Sequence, residues 1–183
     1  HQPSRPARPP RPQRFGMTAS PIRTEHADAL ARLHQHYQSM PPVAAMDVTV
    51  AGYNGHRLHL HAPLATHVND KGCAFGGSLA SMMTLASWGL VSLHIEEAGL
   101  EAEVSAADSQ TRYLAPLSAD LDVEAELAPD AAWPGFIATL RERGRARIGL
   151  VARARLPEGG IATEFIARYV AIAKPRAAAP VSG

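Results

Sequence analysis

One short run of polar and small residues, 67–78, holds most of the groups with which this chain can do chemistry. It reads HVNDKGCAFGGS and leads directly into a long apolar stretch. Asn69 and Asp70 are residue types that orient or deprotonate a water molecule. Gly76 and Gly77 allow the backbone to approach a ligand closely. A helix that starts there has free N–H groups and a partial positive charge, so we expect it to stabilise a carbonyl oxygen that becomes an oxyanion.

The apolar stretch after this run predicts a long helix. Apolar residues recur at helical spacing over residues 79–98, and no charged residue lies between Lys71 and Glu96. A helix that is apolar on nearly every side is covered by lipid or by protein. Scattered serines and glycines interrupt this one and no basic flank follows it, so we expect a helix wrapped by a sheet and no membrane span. Gly99 predicts its left-handed end.

Composition and charge narrow the class of protein. The chain has 183 residues, of which 46% are hydrophobic, and a net charge of +1. These values predict one globular domain and give no reason to expect a nucleic-acid partner. The single cysteine, Cys73, excludes an internal disulfide framework and favours a cytoplasmic location. Residues 1–20, rich in proline and arginine, and residues 175–183 are predicted to be flexible tails.

The rest of the pattern predicts an N-terminal helix followed by strands. Residues 24–40 read as a helix that Thr24 caps and Pro41 stops, within an N-terminal segment of 21–42. Alternation on both sides of Asn54–Gly55 predicts a hairpin over residues 46–61. Later alternating segments predict four strands, at residues 101–116, 120–127, 137–156 and 161–173.

Two groups of side chains invite a metal or nucleic-acid interpretation. His59 and His61 share one face of the predicted hairpin, but we see no cysteine or carboxylate placed to complete a zinc site, so we predict no metal. Arginines alternate along residues 137–156, and acidic residues alternate along residues 120–127. Side by side, these strands would form cross-strand ion pairs, which explains the arginines without nucleic acid.

The order of elements predicts an α+β domain over residues 43–174. In it an antiparallel sheet wraps around the long central helix, and the N-terminal helix is an addition outside the sheet. Such a sheet leaves an open edge, which a second copy of the chain usually pairs across a two-fold axis.

The run 69–78 also carries a family resemblance. Asn69, Gly72, Gly76 and Gly77 match the Asn-x-x-Gly-x-x-His-Gly-Gly loop of PaaI-like hotdog thioesterases. The sequence NDKGCAFGGS more closely resembles the thioesterase-like family found as the C-terminal domain of YiiD-type proteins, and residues 108–116 are similar to the strand after the hotdog helix. The resemblance covers about residues 41–174. It implies a hotdog fold, a homodimer or tetramer, and an acyl-CoA or acyl-carrier thioester as substrate, with no cofactor.

Two departures from the better-known thioesterases affect the expected site. Phe75 stands where they often have histidine, and Thr84 stands where many have a helix carboxylate. We therefore expect the carboxylate that activates water to come from Asp108, on a strand of small residues, or from Asp70 in the loop, with Asn69 holding the water or the carbonyl. The alternatives are a structural hydrogen bond for Asp108 and a loop-shaping role for Asp70. The substrate-binding candidates are Phe75, Gly76, Gly77, Ser78 and Thr84.

The expected activity is hydrolysis of an acyl thioester, with helix amides as the oxyanion hole. The lack of a helix carboxylate favours one alternative, a non-catalytic hotdog dimer that binds acyl-CoA or a protein partner. A dehydratase is a third possibility, which would use His67 as the nearest loop histidine.

Overall fold

The computed structural model describes residues 21–175, with side chains from His26 onward. Five helices and six strands follow one another in this part of the chain. The helices are α1 (Pro21–Ser39), α2 (Pro41–Ala44), α3 (Leu64–His67), α4 (Gly76–Glu97) and α5 (Trp133–Arg143). The strands are β1 (Thr49–Tyr53), β2 (Leu58–Ala62), β3 (Ala102–Tyr113), β4 (Leu121–Leu127), β5 (Arg145–Arg155) and β6 (Ile161–Ala173). Of the predicted tails, residues 1–20 and 176–183 lie outside the described residues.

The six strands form one antiparallel sheet in the order β1-β2-β4-β5-β6-β3. Helix α4 lies on its inner face and contacts β2, β3, β4, β5 and β6. Strand β3 forms one edge of the sheet and pairs with β6 alone. This arrangement confirms the predicted α+β hotdog fold, with a sheet wrapped around a long helix and an extra N-terminal helix.

Burial of α4 explains its lack of charge. Ten of its residues are buried, among them Leu79, Met82, Met83 and Leu90. The helix is long and apolar enough to cross a bilayer, but here 56% of its apolar window is buried inside the fold. Gly99 has a φ of 72° just after the helix, as its position in the sequence predicted.

Helix α1 packs across α4 at a residue without a side chain. Leu33 and Tyr37 are the buried residues of α1, and the Tyr37 hydroxyl donates to the carbonyl of Leu85 on α4 at 2.6 Å. A Cβ on Gly89 would lie 2.4 Å from the Tyr37 hydroxyl oxygen, so glycine permits this close approach. Helix α1 begins at Pro21, so Thr24 lies inside the helix and the prediction that it is the cap is wrong.

The predicted strand over residues 137–156 is wrong over residues 137–143, which belong to α5. Pro134 lies in the first turn of this helix, a favourable position for proline, and Gly144 follows the last turn with a φ of 70°. Phe136 and Leu140, four residues apart, are buried together. Arg141 therefore lies on a helix and donates to the carbonyl of Ala98 at the end of α4.

The predicted cross-strand ion pairs are present on the outer face of the sheet. Glu124 accepts hydrogen bonds from Arg153 and Arg155, and Glu126 accepts from Arg57 and Arg153. We call these five side chains the Glu124 network. Glu124 is only 4% exposed. The positive charges of the arginines compensate the buried negative charge of Glu124.

The histidines of β2 also lie beside carboxylates. His59 Nδ1 is 3.7 Å from a Glu124 oxygen, and His61 Nε2 is 3.4 Å from an Asp120 oxygen. Each histidine thus has one carboxylate neighbour. Among residues 21–175, however, no three His, Cys, Asp or Glu side chains are grouped closely enough to hold a metal ion.

The close contact between α1 and α4 gives a stability prediction. Gly89→Ala should lower the free energy of unfolding by about 1–3 kcal/mol, because its methyl group overlaps the Tyr37 hydroxyl. Gly135→Ala in α5 is the matched control, since its Cβ meets nothing within 4 Å. It should be neutral or stabilising by about 0.5 kcal/mol. Urea unfolding of both variants tests this, and equal effects on both would contradict it.

The Glu124 network predicts a loss of stability in acid. Burial alone would raise the pKa of Glu124 and of Glu126, but hydrogen bonds from arginines outweigh it and hold both pKa values below the ordinary 4.5. Carboxyls with a lowered folded pKa stabilise the fold above the unfolded pKa. The free energy of unfolding should therefore fall as the pH drops below about 5.

Glu124→Gln should flatten part of this acid slope and cost about 2 kcal/mol at pH 7, because Arg155 loses its carboxylate and Arg153 keeps only Glu126. Asp122→Asn changes an exposed acid on the same strand and should stay within about 0.5 kcal/mol of the parent. Urea unfolding at several pH values measures both effects. An unchanged acid slope in Glu124→Gln would show that the network is not its source.

Candidate functional site

A closed loop, residues 68–75, positions the start of α4. Val68 and Ala74 form a β-bridge, and inside it the Asn69 N–H donates to the Cys73 carbonyl at 2.7 Å. Next to the bridge, the Phe75 N–H donates to the carbonyl of His67 at 2.8 Å. These bonds fix the backbone immediately before the first turn of the helix.

The side chain of Asn69 holds this loop together. Its Oδ1 accepts hydrogen bonds from the N–H of Lys71 at 2.8 Å and of Cys73 at 3.0 Å. Asp70 is exposed, and its carboxylate lies 3.4 Å from the Lys71 ammonium. The loop-shaping role considered for Asp70 therefore belongs to Asn69. Catalytic roles for either residue stay predictions.

Two backbone donors at the start of α4 are free among the described residues. The N–H groups of Ser78 and Leu79 donate to the Phe75 carbonyl, whereas those of Gly76 and Gly77 have no acceptor in residues 21–175. A Cβ on Gly76 would lie 3.2 Å from the Tyr113 ring, and a Cβ on Gly77 would lie 2.6 Å from the Phe75 ring. One aromatic ring thus lies close to each glycine, and a side chain at Gly77 would collide with the Phe75 ring.

Large apolar side chains are exposed around these donors. Phe75 and Tyr113 are each 57% exposed, and Val68 and Leu114 about half exposed. Tyr113 is held in place because its hydroxyl donates to the Gly76 carbonyl at 2.8 Å. We call these four side chains the apolar rim. Apolar side chains left uncovered together usually mark a binding surface.

Asp108 lies on the other face of the sheet. In β3, the inner face carries Tyr113, whereas Asp108 pairs with Arg168 on the outer face. A bulge between Ala106 and Asp108 breaks the alternation and changes the face. Asp108 is also about 17 Å along the strand from Tyr113, at about 3.3 Å per residue. The strand lies beside α4 as expected, but it does not bring Asp108 to the helix start of its own chain.

The partner of Asp108 explains its charge state. Arg168 donates to both carboxylate oxygens, and these hydrogen bonds hold the pKa of Asp108 below its ordinary value. A carboxylate held this way is a weaker base. The structural role that we predicted as an alternative for Asp108 was a hydrogen bond to the loop. The observed partner is instead a guanidinium on β6.

Thr84 and Ser78 lie on α4 but have different partners. The Thr84 hydroxyl donates back to the Ala80 carbonyl at 2.8 Å, within the helix. The Ser78 hydroxyl instead lies 2.8 Å from Nδ1 of His67, whose Nε2 is 2.6 Å from the Met46 carbonyl oxygen. From the sequence, His67 has a predicted role only in the dehydratase alternative. The spacing of eleven residues between His67 and Ser78 gives no helix or strand signal that would have paired them.

Substitution of Asn69 tests whether its side chain holds the loop. Asn69→Ala removes an acceptor of two N–H groups and should lower the free energy of unfolding by about 1–2 kcal/mol. Asn69→Asp keeps that acceptor and should stay within about 0.5 kcal/mol of the parent. Urea unfolding and hydrogen exchange at Cys73 measure this. Equal loss in both variants would show that Oδ1 does not hold the loop.

The fold has clear relatives among solved structures. A protein of unknown function from Chlorobaculum tepidum matches with a TM-score of 0.76 at 25% identity, over 81% of this chain and 96% of that one. A protein from Shewanella oneidensis described as a "putative thioesterase" matches with a TM-score of 0.72 at 28% identity, over 80% and 99%. A protein from Pseudomonas aeruginosa described as a "probable thioesterase" shares the fold at 19% identity, with a TM-score of 0.67 over 79% and 95%.

The family model agrees with these structures. The model described as "Putative thioesterase (yiiD_Cterm)" matches residues 30–173, which include the loop, α4 and the whole sheet. Because this match spans most of the chain, the chain belongs to the family that this model describes.

Proposed function

We propose that this protein hydrolyses acyl thioesters and that the start of α4 is its active site. The observation that carries the proposal is the pair of free N–H groups at Gly76 and Gly77 inside an apolar rim. A thioester has a carbonyl oxygen that gains negative charge during attack and an acyl chain that prefers apolar surroundings. The helix start offers donors for the first, and the rim offers surface for the second.

The rim suits an acyl chain better than it suits a charged group. No charged side chain follows Lys71 until Glu96, so the first turns of α4 are neutral. Losing one oxyanion donor typically costs roughly 3 kcal/mol of transition-state stabilisation. Amides held by the loop need no rearrangement to provide that stabilisation. Substrate tests decide whether the acyl group is carried by CoA or by a carrier protein.

A second copy of the chain is part of the same proposal. Strand β3 is twelve residues long, is exposed over most of its length on both faces, and forms the sheet edge next to the apolar rim. An edge of this kind pairs readily with another strand. Pairing of β3 with β3 of a second copy would cover Tyr113 and Leu114 and deepen the site. Because Asp108 does not reach the helix start of its own chain, a catalytic role for it would require this pairing, in which it would act at the site of the other chain.

The alternative function is binding without turnover. Thr84 stands where many thioesterases have a helix carboxylate, and its hydroxyl is committed to the Ala80 carbonyl. A protein with a donor pair and an apolar rim but no base would bind acyl-CoA or an acyl-carrier protein and release it unchanged. Turnover separates the two functions.

A panel of acyl-CoAs from acetyl to palmitoyl, with free thiol measured by a colour reagent, tests the proposal. We expect turnover with a preference for one range of chain lengths, because the rim has a fixed size. No turnover on any member, together with a raised melting temperature in acyl-CoA, would contradict hydrolysis and support binding alone.

Phe75→Ala should raise KM for the preferred acyl-CoA about tenfold, because part of an aromatic contact surface is lost. Its stability should change little, since Phe75 is 57% exposed. Ile172→Ala is the matched control, a similarly exposed apolar residue on the outer face of β6. It should leave KM unchanged. Equal KM values for both variants would remove Phe75 from the acyl site.

A further inference from the structure

We propose that Ser78 is the nucleophile of this site and His67 its base, so that hydrolysis passes through an acyl ester on Ser78. The inference rests on the proposed thioester hydrolysis and names the residues that perform it. It follows from a chain of three groups, the Ser78 hydroxyl, the His67 ring and the Met46 carbonyl, that ends beside the free glycine donors.

The contacts of His67 determine which nitrogen carries the proton. Nε2 lies 2.6 Å from the carbonyl oxygen of Met46, and a carbonyl can only accept. The neutral ring therefore carries its hydrogen on Nε2, and Nδ1 has a free lone pair. Ser78 Oγ is 2.8 Å from Nδ1, so its hydroxyl donates to the ring. This is the relation between a nucleophile, a base and the group that orients the base.

Burial separates the roles of the two side chains. His67 is 5% exposed, and Ser78 is partly exposed in the first turn of α4. The serine is therefore the more accessible of the two side chains. The proton most directly available to His67 is that of Ser78, which makes the serine oxygen the attacking atom.

The position of Ser78 supplies the other requirement of acyl transfer. It is the second residue after Gly76, and its own N–H is used by the Phe75 carbonyl. The free donors of Gly76 and Gly77 thus lie next to the nucleophile in the chain, where an oxyanion formed by its attack needs them. Asp70 is exposed in the loop, and α4 has no carboxylate before Glu96, so a neutral base is the one this helix start provides.

The proposed hydrolysis has two steps. Ser78 Oγ bonds to the thioester carbon, its proton passes to Nδ1 of His67, and the carbon–sulfur bond breaks. The leaving sulfur takes the proton from His67 and departs as a thiol. Water then attacks the acyl–serine ester, gives a proton to His67, and the proton returns to Ser78 Oγ as the carboxylic acid leaves. No oxidant, reductant or metal is required.

A fluorophosphonate probe tests the pair without any thioester. Ser78 Oγ should displace fluoride and form a stable phosphonyl ester, which mass spectrometry of the digested protein locates. We expect labelling at Ser78 in the parent chain and none in Ser78→Ala. His67→Gln should slow labelling about 100-fold, the usual contribution of a positioned base. Ser81→Ala removes an exposed hydroxyl one turn further along α4 and should leave the rate unchanged.

Acyl-CoA hydrolysis gives the second readout. Ser78→Ala should lower kcat at least 100-fold, while its melting temperature stays close to the parent's. Because this substitution removes a single oxygen atom, it tests the proposal even if His67→Gln does not fold. Absence of the label in the parent, or full hydrolysis by Ser78→Ala, overturns the proposal. Loss of hydrolysis in Asp108→Asn with Ser78→Ala active would instead assign the base to Asp108. Labelling of Ser78 in a protein that hydrolyses no acyl-CoA would reject only the proposed substrate.

Discussion

A long helix that carries no charge before Glu96, and that must therefore be largely covered by protein, is the constraint on which this structure depends. Helix α4 contributes ten buried residues, and no single flat layer can cover them all. The sheet therefore curls around the helix, and α1 closes the side that remains. Contact at Gly89 is close enough that only a residue without a side chain fits between α4 and Tyr37. Burial of apolar surface, at about 25 cal/mol per Å², is what holds these layers together.

The same constraint creates the candidate site. The first turn of this wrapped helix carries the unpaired N–H groups. The loop of residues 68–75 holds that turn at the sheet edge, where Phe75 and Tyr113 stand on either side of Gly76 and Gly77. The polar chemistry of the protein is thus concentrated where the apolar packing stops.

Much of the fold could be predicted from the sequence because it follows from periodicity and turn residues. Strand β6 has the predicted bounds, and the hairpin turns at Asn54–Gly55, where the Asn54 side chain accepts two N–H groups. Helix α5 was missed because its arginines also alternate with a period of two. Only Pro134, Gly144 and the buried pair four residues apart carry the helical signal.

The site was less predictable, because its contacts join residues that no local pattern relates. One extra residue in β3 moves Asp108 to the outer face, and a bulge leaves no mark in an alternating string of small residues. The pairing of His67 with Ser78 depends on how a loop closes. The glycine pair was predictable, since helix starts have the same free donors in every fold.

Charge balance explains how a site without a carboxylate can stabilise the transition state of acyl transfer. Attack on a thioester places negative charge on the carbonyl oxygen and positive charge on the group that takes the proton. The free amides of Gly76 and Gly77 face the first charge. The second would form on His67, where the Met46 carbonyl presents the negative end of its dipole to Nε2–H. A carboxylate at the helix start would begin the reaction charged and would bind the amides that the oxyanion needs. A neutral serine and histidine leave those donors free until the transition state forms, which is the condition under which they accelerate the reaction.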